Sequence, residues 1–578
     1  MRYGIIGNCK SAALVSERGS IDWCCLPKFD SASVFAKLLD SKGGSFQIQA
    51  AYGGTVKQYY IPKTNILQTE FDDGTNAFAL IDYMPRYREE KEYFKPIEIH
   101  RIIKPLKGRP VIKVNFAPRL DYARGKTNII PRKELITASH GLESIFLYSS
   151  LPINKIISSE EIILNKDHYF LLTYHEKIES PTFHYINNSF FKTRAYWETW
   201  AAHCQLPKLA QDYVLRSALT LKLMTYEDSG AIIAAPTTSL PEIIGDVRNW
   251  DYRFCWLRDA SLMLEALKSI GHFEEAKAFI HFLLRLFESK KSKVQIVYGI
   301  GGRGHYDEKI LKHLKGYKNS KPVRIGNKAF DMRQNDIFGE ILNTIYLYYF
   351  HYKIEQMPDE GWALVKFLVN TISRDWVTPD AGIWEFRHRG AHFTFSKVLS
   401  WAALDRGIKI AQKLDKKYAV LNWTPVCEKI KKDIRKRGWN NKLKSFVQIY
   451  GSNNLDASLL LIQRYGFLKA DDASWISTVH QCEKALIHNG LGFRYTSYDD
   501  FGKPKSAFIV ATLWIAKALH SIGEKEKALE IFKNVLAHSN HLGLLSEDID
   551  PKTGELLGNF PQAYSHMAVI NTAIAMEQ

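Results

Sequence analysis

The segment Asp259-Ala-Ser-Leu-Met-Leu-Glu-Ala-Leu-Lys-Ser-Ile-Gly-His272 decides the fold class of this chain. Its apolar residues recur at helical spacing, and a second helical pattern, 273–289, starts directly after Gly271-His272. A connection this short forces the two helices to lie antiparallel as neighbours. The segment therefore predicts a helical hairpin, and similar hairpins follow it along the chain.

Helical periodicity dominates the chain from about Pro207 onward. Twelve segments show it: 207–225, 259–270, 273–289, 337–355, 359–373, 396–414, 424–437, 456–463, 473–486, 506–521, 524–539 and 562–576. Six hairpins of this kind can close into a ring of inner and outer helices, which is an (α/α)6 barrel. An open helical solenoid is the alternative, although no fixed sequence period relates the hairpins.

The first part of the chain, up to about residue 190, has a different periodicity. Short apolar runs that tend to alternate, such as 45–49 and 77–83, are separated by Gly, Pro, Asn and Asp. Many short strands with frequent turns predict an antiparallel β-sandwich. The predicted organisation is a β-sandwich domain over 1–190, a packed linker over 191–206 and an (α/α)6 catalytic barrel over 207–578.

Composition excludes several classes of protein. The 578 residues are 46% hydrophobic and 13% aromatic, which is enough for a large core and excludes a disordered chain. Seven cysteines without a CxxC pair exclude a disulfide scaffold and fit a reducing compartment. The first residues lack the apolar run of a secretory signal, and the longest apolar run, 507–519, is too short to span a bilayer. We therefore expect a cytoplasmic protein with no membrane partner.

The net charge of +17 comes largely from lysine clusters such as 290–293, 312–328 and 429–444. Nucleic-acid binding is one interpretation, but no zinc finger, RRM or helix-turn-helix signature accompanies the clusters. A solvated basic surface is the favoured interpretation, with no specific nucleic-acid partner. The stretch Gly299-Ile-Gly-Gly-Arg-Gly304 matches G-x-G-x-x-G, yet the βαβ unit of a dinucleotide fold is missing, so we expect a rim loop there.

The segment Asn249-Trp-Asp-Tyr-Arg-Phe-Cys-Trp-Leu-Arg-Asp259 mixes aromatic rings with arginines and aspartates. Sugar-binding sites use this mixture, because flat rings lie against the C–H faces of a pyranose while charged groups bind its hydroxyls. A buried structural Arg–Asp pair among packed tryptophans is the other interpretation.

Two further segments contain candidate catalytic acids. In Asp380-Ala-Gly-Ile-Trp-Glu-Phe-Arg387 the carboxyl of Glu385 adjoins an indole, and partial desolvation suits a general acid. A surface pair of Glu385 with Arg387 is the alternative. Gly543-Leu-Leu-Ser-Glu-Asp-Ile-Asp550 has three acids but lacks the pattern of an EF-hand, so we expect no metal and one carboxylate at the barrel mouth. Two acids across a cleft are the minimum for glycoside hydrolysis.

Together these motifs resemble glycoside hydrolase family 15, the family of glucoamylases, glucodextranases and microbial trehalases. The resemblance covers nearly the whole chain, from Gly4-Ile-Ile-Gly-Asn-Cys-Lys-Ser-Ala-Ala13 through Arg248-Asn-Trp-Asp-Tyr-Arg-Phe-Cys-Trp-Leu-Arg-Asp-Ala260 to Gly558-Asn-Phe-Pro-Gln562. It implies a β-sandwich followed by an (α/α)6 barrel, inversion of the anomeric configuration by two glutamates, and no cofactor.

Residue roles follow from the same resemblance. It implies that Glu385 is the general acid and Glu547 the general base, with Asp548 as the fallback for the base. The implied substrate-binding residues are Tyr252, Trp256, Arg258, Asp259, Trp384, Arg494 and Ser565. Ser565 would hydrogen-bond the base. One departure is Lys505-Ser506, where many members carry Glu-Gly, and this charge reversal would alter the second subsite.

The activity implied by the resemblance is exo-hydrolysis of α-glucosides, in which β-D-glucose is released from the non-reducing ends of α-glucans or maltooligosaccharides. The alternative within the family is an α,α-trehalase, which a small, closed second subsite would favour. A catalytically silent carbohydrate-binding protein is the alternative outside the enzyme class, and the presence of both Glu385 and Glu547 argues against it. The expected partner is an oligosaccharide or a disaccharide.

Overall fold

The computed structural model describes residues 1–90, 92–288, 294–302, 304, 306–387 and 390–578. Within these residues an antiparallel β-sandwich precedes a ring of helices, and the predicted fold class is confirmed. The predicted lysine cluster 290–293 and Arg303 of the glycine-rich stretch lie outside the described residues.

The first part of the chain contains seventeen strands, of which fifteen form the two sheets of the sandwich and two form a separate antiparallel pair. They are β1 (Tyr3–Gly7), β2 (Ala12–Ser16), β3 (Ser20–Cys25), β4 (Ser33–Phe35), β5 (Ser45–Ala50), β6 (Thr55–Tyr60), β7 (Leu67–Asp72), β8 (Ala77–Tyr83), β9 (Tyr87–Glu89), β10 (Glu92–Phe94), β11 (Glu98–Lys107), β12 (Val111–Ala117), β13 (Asn128–Pro131), β14 (Leu135–His140), β15 (Glu143–Ser149), β16 (Ile162–Ile163) and β17 (His168–Tyr174).

Two antiparallel sheets form the sandwich. One has the order β1-β2-β3-β5-β12-β16, with β4 paired to β3, and the other has the order β13-β14-β15-β17-β11-β8-β7-β6. Phe46 of the first sheet meets Phe170 of the second edge to face, with ring centroids 5.4 Å apart. The core also contains a buried ion pair, in which Arg101 donates to Asp82 at 2.7 Å and to the Phe46 carbonyl oxygen. Because every polar group of this pair has a partner, the charges are tolerated in the core.

Thirteen α-helices are present among the described residues. They are α1 (Ile153–Ile157), α2 (Phe183–Ala202), α3 (Gln211–Leu223), α4 (Leu257–Ser269), α5 (Glu274–Leu286), α6 (Asp336–Tyr346), α7 (Asp359–Asp375), α8 (Thr394–Lys413), α9 (Lys417–Arg437), α10 (Ala473–Leu486), α11 (Ile509–Ser521), α12 (Lys525–Ala537) and α13 (Ala563–Glu577).

Short antiparallel strands, most of them in pairs, border the helices of the second half. They are β18 (Thr225–Tyr226), β19 (Ala231–Ile232), β20 (Cys255–Trp256), β21 (Val297–Tyr298), β22 (Lys309–Ile310), β23 (Arg324–Ile325), β24 (Trp439–Asn440), β25 (Ser445–Phe446), β26 (Ile487–His488), β27 (Leu491–Gly492), β28 (Ala507–Phe508), β29 (Asp548–Ile549) and β30 (Leu556–Leu557).

The helices close into the predicted barrel. Its inner layer runs α4, α6, α8, a 3-10 turn at Ala457–Leu461, α11 and α13, and α13 packs back against α4. The outer layer consists of α3, α5, α7, α9, α10 and α12, each packed on the inner layer. The contact between α13 and α4 closes the ring and excludes an open solenoid.

Two predicted helices differ from those observed. The predicted helix 424–437 begins earlier, at Lys417, and continues through Pro425, although proline favours the first turn of a helix. The predicted helix 456–463 is only a five-residue 3-10 turn, Ala457–Leu461, and the chain turns again at Gly466. Among the described residues, no helix combines the length and the apolar character that a membrane span requires.

The sandwich is bonded directly to the barrel. Trp23 Nε1 on β3 donates to the Pro236 carbonyl oxygen at 2.7 Å, and Asn65 Nδ2 donates to the Leu219 carbonyl oxygen of α3 at 3.0 Å. Helix α2 joins the two parts, and its Trp197 is buried. The barrel loops near the site are therefore braced from the sandwich side. The limits 190 and 207 remain our proposal for the domain boundaries.

Candidate active site

The site lies at the end of the barrel where the inner helices begin. Its residues lie in the loops that precede α4, α8, α11 and α13, and these loops surround an open cavity of about 860 Å³, a volume that includes solvent space at its mouth. The predicted residues that line this cavity are Tyr252, Trp256, Arg258, Asp259, Trp384, Glu385, Arg494 and Glu547. The fold thus brings together both predicted catalytic glutamates from segments far apart in the chain.

The segment before α4 is extended, so alternate side chains point in opposite directions. Tyr252 and Trp256 line the cavity, and their rings meet edge to face at 5.4 Å. Asp251 and Arg253 point away, are fully buried and pair with each other at 2.6 Å. Arg253 Nη1 also donates to the Ser31 carbonyl oxygen of the sandwich at 2.7 Å. The buried Arg–Asp pair is therefore present in one set of alternating residues, while the other set lines the cavity, and sugar binding by that set stays a prediction.

Glu385 lies in a strained turn before α8. Its φ of 62° is in the left-handed region, which costs a non-glycine residue energy and is typical of functional sites. Trp256 Nε1 donates to Glu385 Oε1 at 2.9 Å, and Arg258 Nη2 lies 3.8 Å from the same oxygen. The neighbouring Trp384 donates its own N–H to Asp456 at 2.5 Å. These contacts fix the acid and its indole neighbour against the cavity.

Arg258 and Asp259 begin α4 at the cavity wall. Arg258 donates to Asp259 at 3.1 Å and to Gln334 at 2.8 Å, and it lies 3.4 Å from Asp336. Burial raises the pKa of Asp259 to about 6, although the Arg258 guanidinium opposes this rise and the charge of Glu385 adds to it. The α4 side of the cavity therefore presents a fixed cation with a carboxyl beside it, a pair suited to binding hydroxyl groups.

Glu547 is almost completely buried, with 2% of its surface exposed. Tyr252 Oη donates to Glu547 Oε1 at 2.6 Å, and Oε2 has no hydrogen-bond partner among the described residues. Burial, with a further contribution from the Glu242 carboxylate, raises the pKa of Glu547, whereas Arg494 and the Tyr252 hydroxyl lower it. Gly558 gives this side chain room, because a Cβ there would lie 2.6 Å from the Glu547 Cβ.

Glu242 was not predicted from the sequence. Its carboxylate accepts from Arg494 Nη2 at 2.9 Å, and Arg494 also lies 3.3 Å from Asp548. Carboxylate oxygens of Glu242, Glu547 and Asp548 all lie within 4.8 Å of one another. No motif contains Glu242; its only signal is an isolated acid between Pro241 and Ile243 in an apolar stretch. Glu242 therefore joins the candidate site as the charge that faces both Arg494 and Glu547.

Comparisons with known proteins assign the family. The family model Glycosyl hydrolases family 15 matches residues 208–574, and the model Trehalase-like, N-terminal matches residues 1–161. The chain belongs to glycosyl hydrolases family 15. It is a glycoside hydrolase, as the sequence motifs implied, and its sandwich and barrel are the two matched regions.

Several relatives align with this chain over almost its whole length. It is 36% identical to a protein named Trehalase from Thermoplasma volcanium over 597 residues, covering 100% of this chain and 93% of that one. It is 34% identical to Trehalase from Mycolicibacterium smegmatis over 609 residues, covering 99% and 90%. A bacterial glucoamylase solved in complex with acarbose superposes with a TM-score of 0.74 at 14% identity, covering 100% and 94%, and this likeness concerns the fold.

Two predictions about the family 15 site need correction, and one alternative is excluded. The Ser565 hydroxyl contacts the Ser546 carbonyl oxygen at 2.7 Å and Gln562 at 2.9 Å instead of the base, because α13 turns it away from the cavity. Arg387 pairs with Glu308 at 3.0 Å, so a surface pair with Glu385 is wrong. Lys505 lies on the surface with its side chain 67% exposed and pairs with Asp246, so its charge does not line the cavity.

Proposed function

We propose that this enzyme is an α,α-trehalase that hydrolyses trehalose to two glucose molecules with inversion at one anomeric carbon. The observation that supports this proposal is the pair of glutamates at one cavity. Both accept a hydrogen bond from an aromatic side chain of the segment 249–259. Trp256 Nε1 donates to Glu385, and Tyr252 Oη donates to Glu547. Two oriented carboxyl groups are the equipment for glycoside hydrolysis.

Glu385 is proposed as the general acid. Its side chain is 25% exposed to the cavity, so it can reach a glycosidic oxygen. As the bond between C1 and that oxygen breaks, the Glu385 carboxyl transfers its proton to the departing oxygen, and the second glucose leaves with its own configuration unchanged. The turn at Gly382, with φ of 63°, and the indole of Trp256 hold the carboxyl in place.

Glu547 is proposed as the general base. The carboxylate accepts a proton from water while the water oxygen bonds to C1 on the face opposite the leaving group, so that β-glucose forms. Oxygen Oε1 is held by Tyr252, and Oε2 has unused lone pairs among the described residues. Asp548, the fallback for this role, faces Arg494 at 3.3 Å and does not line the cavity, which favours Glu547.

The choice of trehalose rests on the relatives. Proteins named Trehalase are 36% and 34% identical to this chain over nearly its full length, as is Trehalase 2 of Sulfolobus acidocaldarius at 33%. The likeness to glucoamylase is structural and has 14% identity, so it supports the fold alone. The glucan activity expected first from the sequence is therefore less well supported than its alternative.

A proton NMR time course tests this function with trehalose and maltotriose in one tube. Loss of trehalose with α- and β-glucose in equal initial amounts is the expected result, because inversion changes one of the two anomeric carbons. Release of α-glucose alone would contradict inversion. Loss of maltotriose alone would restore the glucan activity, and no loss of either sugar would favour the silent carbohydrate-binding protein.

Variants test the two glutamates. We expect Glu547→Gln and Glu385→Gln each to lower kcat by about 10²- to 10⁴-fold, the usual contribution of a general acid or base. Glucose binding, measured by calorimetry, should persist in both. Glu530→Gln on the exposed face of α12 is the matched control and should keep full activity. Full activity in Glu547→Gln would remove the proposed base.

A further inference from the structure

A hairpin tip closes one side of the cavity. It lies at residues 499–502, in the loop between Arg494 and β28, and we refer to it as the 499–502 tip. Backbone hydrogen bonds join Asp499 and Gly502 in both directions, at 3.1 and 3.3 Å, and the Phe501 N–H donates to the Asp499 carboxylate at 2.8 Å. The tip is thus a defined turn that presents Phe501 to the cavity.

Arg248 fastens this tip to the segment before α4. Its two terminal nitrogens donate to the two oxygens of Asp499 at 2.8 and 2.7 Å, and one of them also donates to the Gly502 carbonyl oxygen at 3.0 Å. Both side chains of this pair are less than a tenth exposed. A bidentate, largely desolvated pair is among the strongest polar contacts of proteins, so it holds the tip in one position.

Aromatic and cationic side chains extend this contact into a wall. The ring of Phe501 meets Trp250 edge to face at 5.2 Å, and the Arg387 guanidinium lies 4.2 Å from the Trp250 ring centroid. Arg387 is held from behind by Glu308 at 3.0 Å. These contacts join three separate segments of the chain, so the wall forms only in the folded barrel.

The position of Arg387 relates the wall to the reaction. A general acid contacts the oxygen of the leaving sugar, so that sugar must lie beside Glu385, two residues before Arg387. Arg258 and Asp259, at the start of inner helix α4, also line the cavity, and Arg258 Nη2 lies 3.8 Å from Glu385 Oε1. The first glucose unit therefore belongs on the α4 side, and the leaving unit belongs against the wall.

We propose that the 499–502 tip, fastened by Arg248 to Asp499, is the outer wall of the leaving-group subsite and limits the substrate to two sugar units. This inference rests on the proposed function, because the role of Glu385 as general acid places the leaving unit against the wall. In a longer chain the third sugar would have to occupy the position of Phe501. The wall thus selects disaccharides by steric exclusion.

The experiment compares Asp499→Ala, Asp499→Asn and Phe501→Ala with the wild type. The measured quantity is kcat/KM for maltotriose divided by kcat/KM for trehalose. We expect this ratio to rise about tenfold or more in Asp499→Ala and Phe501→Ala, and less in Asp499→Asn, which retains one acceptor for Arg248. Phe191→Ala, an exposed phenylalanine of α2, is the control and should leave the ratio unchanged.

A second readout separates this inference from the proposed function. Calorimetric binding of trehalose, maltose and maltotriose to the same variants reports the size limit whatever the enzyme cleaves. If the wild type cleaves maltose but not trehalose, the proposed function fails, and the maltotriose-to-maltose ratio still tests the wall. An unchanged ratio with unchanged binding in both Asp499→Ala and Phe501→Ala would overturn the inference. Loss of all activity in folded variants would also overturn it, because the tip would then serve the chemistry.

Discussion

Replacing Glu242 by glutamine removes one negative charge next to the proposed base while nearly keeping the size of the side chain. The carboxylate of Glu242 contributes to the raised pKa of Glu547 and is the partner of Arg494. Without the Glu242 carboxylate, the positive charge of Arg494 is no longer partly neutralised and interacts more strongly with Glu547 and Asp548. Both changes stabilise the ionised form of Glu547, so its pKa falls.

The size of the effect follows from the separation of the charges. Two like charges within 4.8 Å repel by about 3.5 kcal/mol at an effective dielectric constant of ~20, and every ~1.4 kcal/mol corresponds to one pH unit. The ion pair with Arg494 offsets part of the charge of Glu242, so we expect a change of about two pH units. A base acts in its ionised form, and activity is lost as pH falls through its pKa. The acidic limb therefore moves to lower pH by that amount.

The assay is the pH profile of kcat/KM for trehalose, which reports the free enzyme. Tyr252→Phe provides the opposite perturbation, because it removes the hydroxyl that stabilises the ionised base; a hydrogen bond to a charged group contributes about 1.5–3 kcal/mol, so the acidic limb should rise by about one to two pH units. Glu89→Gln, at an exposed position of β9, is the charge-matched control. An acidic limb that stays in place or rises in Glu242→Gln would refute the electrostatic argument.

Three further changes have defined outcomes. Gly558→Ala should lower kcat at least about tenfold, because its φ of 74° disfavours alanine and its Cβ would displace Glu547; activity equal to the wild type would contradict this. Arg253→Ala leaves the buried Asp251 carboxylate without its partner and should cost about 3–5 kcal/mol of stability, measured as a lower midpoint in a thermal scan. Lys505→Glu should change kcat/KM for trehalose less than about twofold, since its exposed ion pair contributes little; a larger change would return this position to the subsite.

Periodicity was sufficient to predict the fold class, because burial of one face leaves a period in the sequence for helices and strands alike. Periodicity failed at Ala457–Leu461, where a single 3-10 turn takes the place of an inner helix between α8 and α11. Strand β3 was not distinguished by alternation, because all six of its residues are buried. The predicted start of α9 at 424 is also wrong, because the helix begins at Lys417 and Pro425 lies inside it.

The candidate site was predictable where its residues cluster in one segment, as Tyr252 and Trp256 do. Glu242 and the pair of Arg248 with Asp499 were not recognised, because each becomes significant only beside a partner far away in sequence. Ser565 shows the opposite error, in which a motif position was given a contact that the helix direction prevents. The separation of two residues along the sequence does not give their distance in space, so these contacts could be identified only from the three-dimensional structure.

The closure of the ring by α13 determines at which stage of synthesis and folding the site becomes complete. The proposed base, its glycine neighbour Gly558 and the helix that completes the inner layer all lie within residues 547–577, after the sandwich and the other inner helices. Synthesis runs from the N-terminus, so the sandwich and most hairpins exist before the site does. A nascent chain that stops before Glu547 contains the proposed general acid without the proposed base, so we expect no hydrolysis until residues 547–577 have been synthesised and α13 has docked.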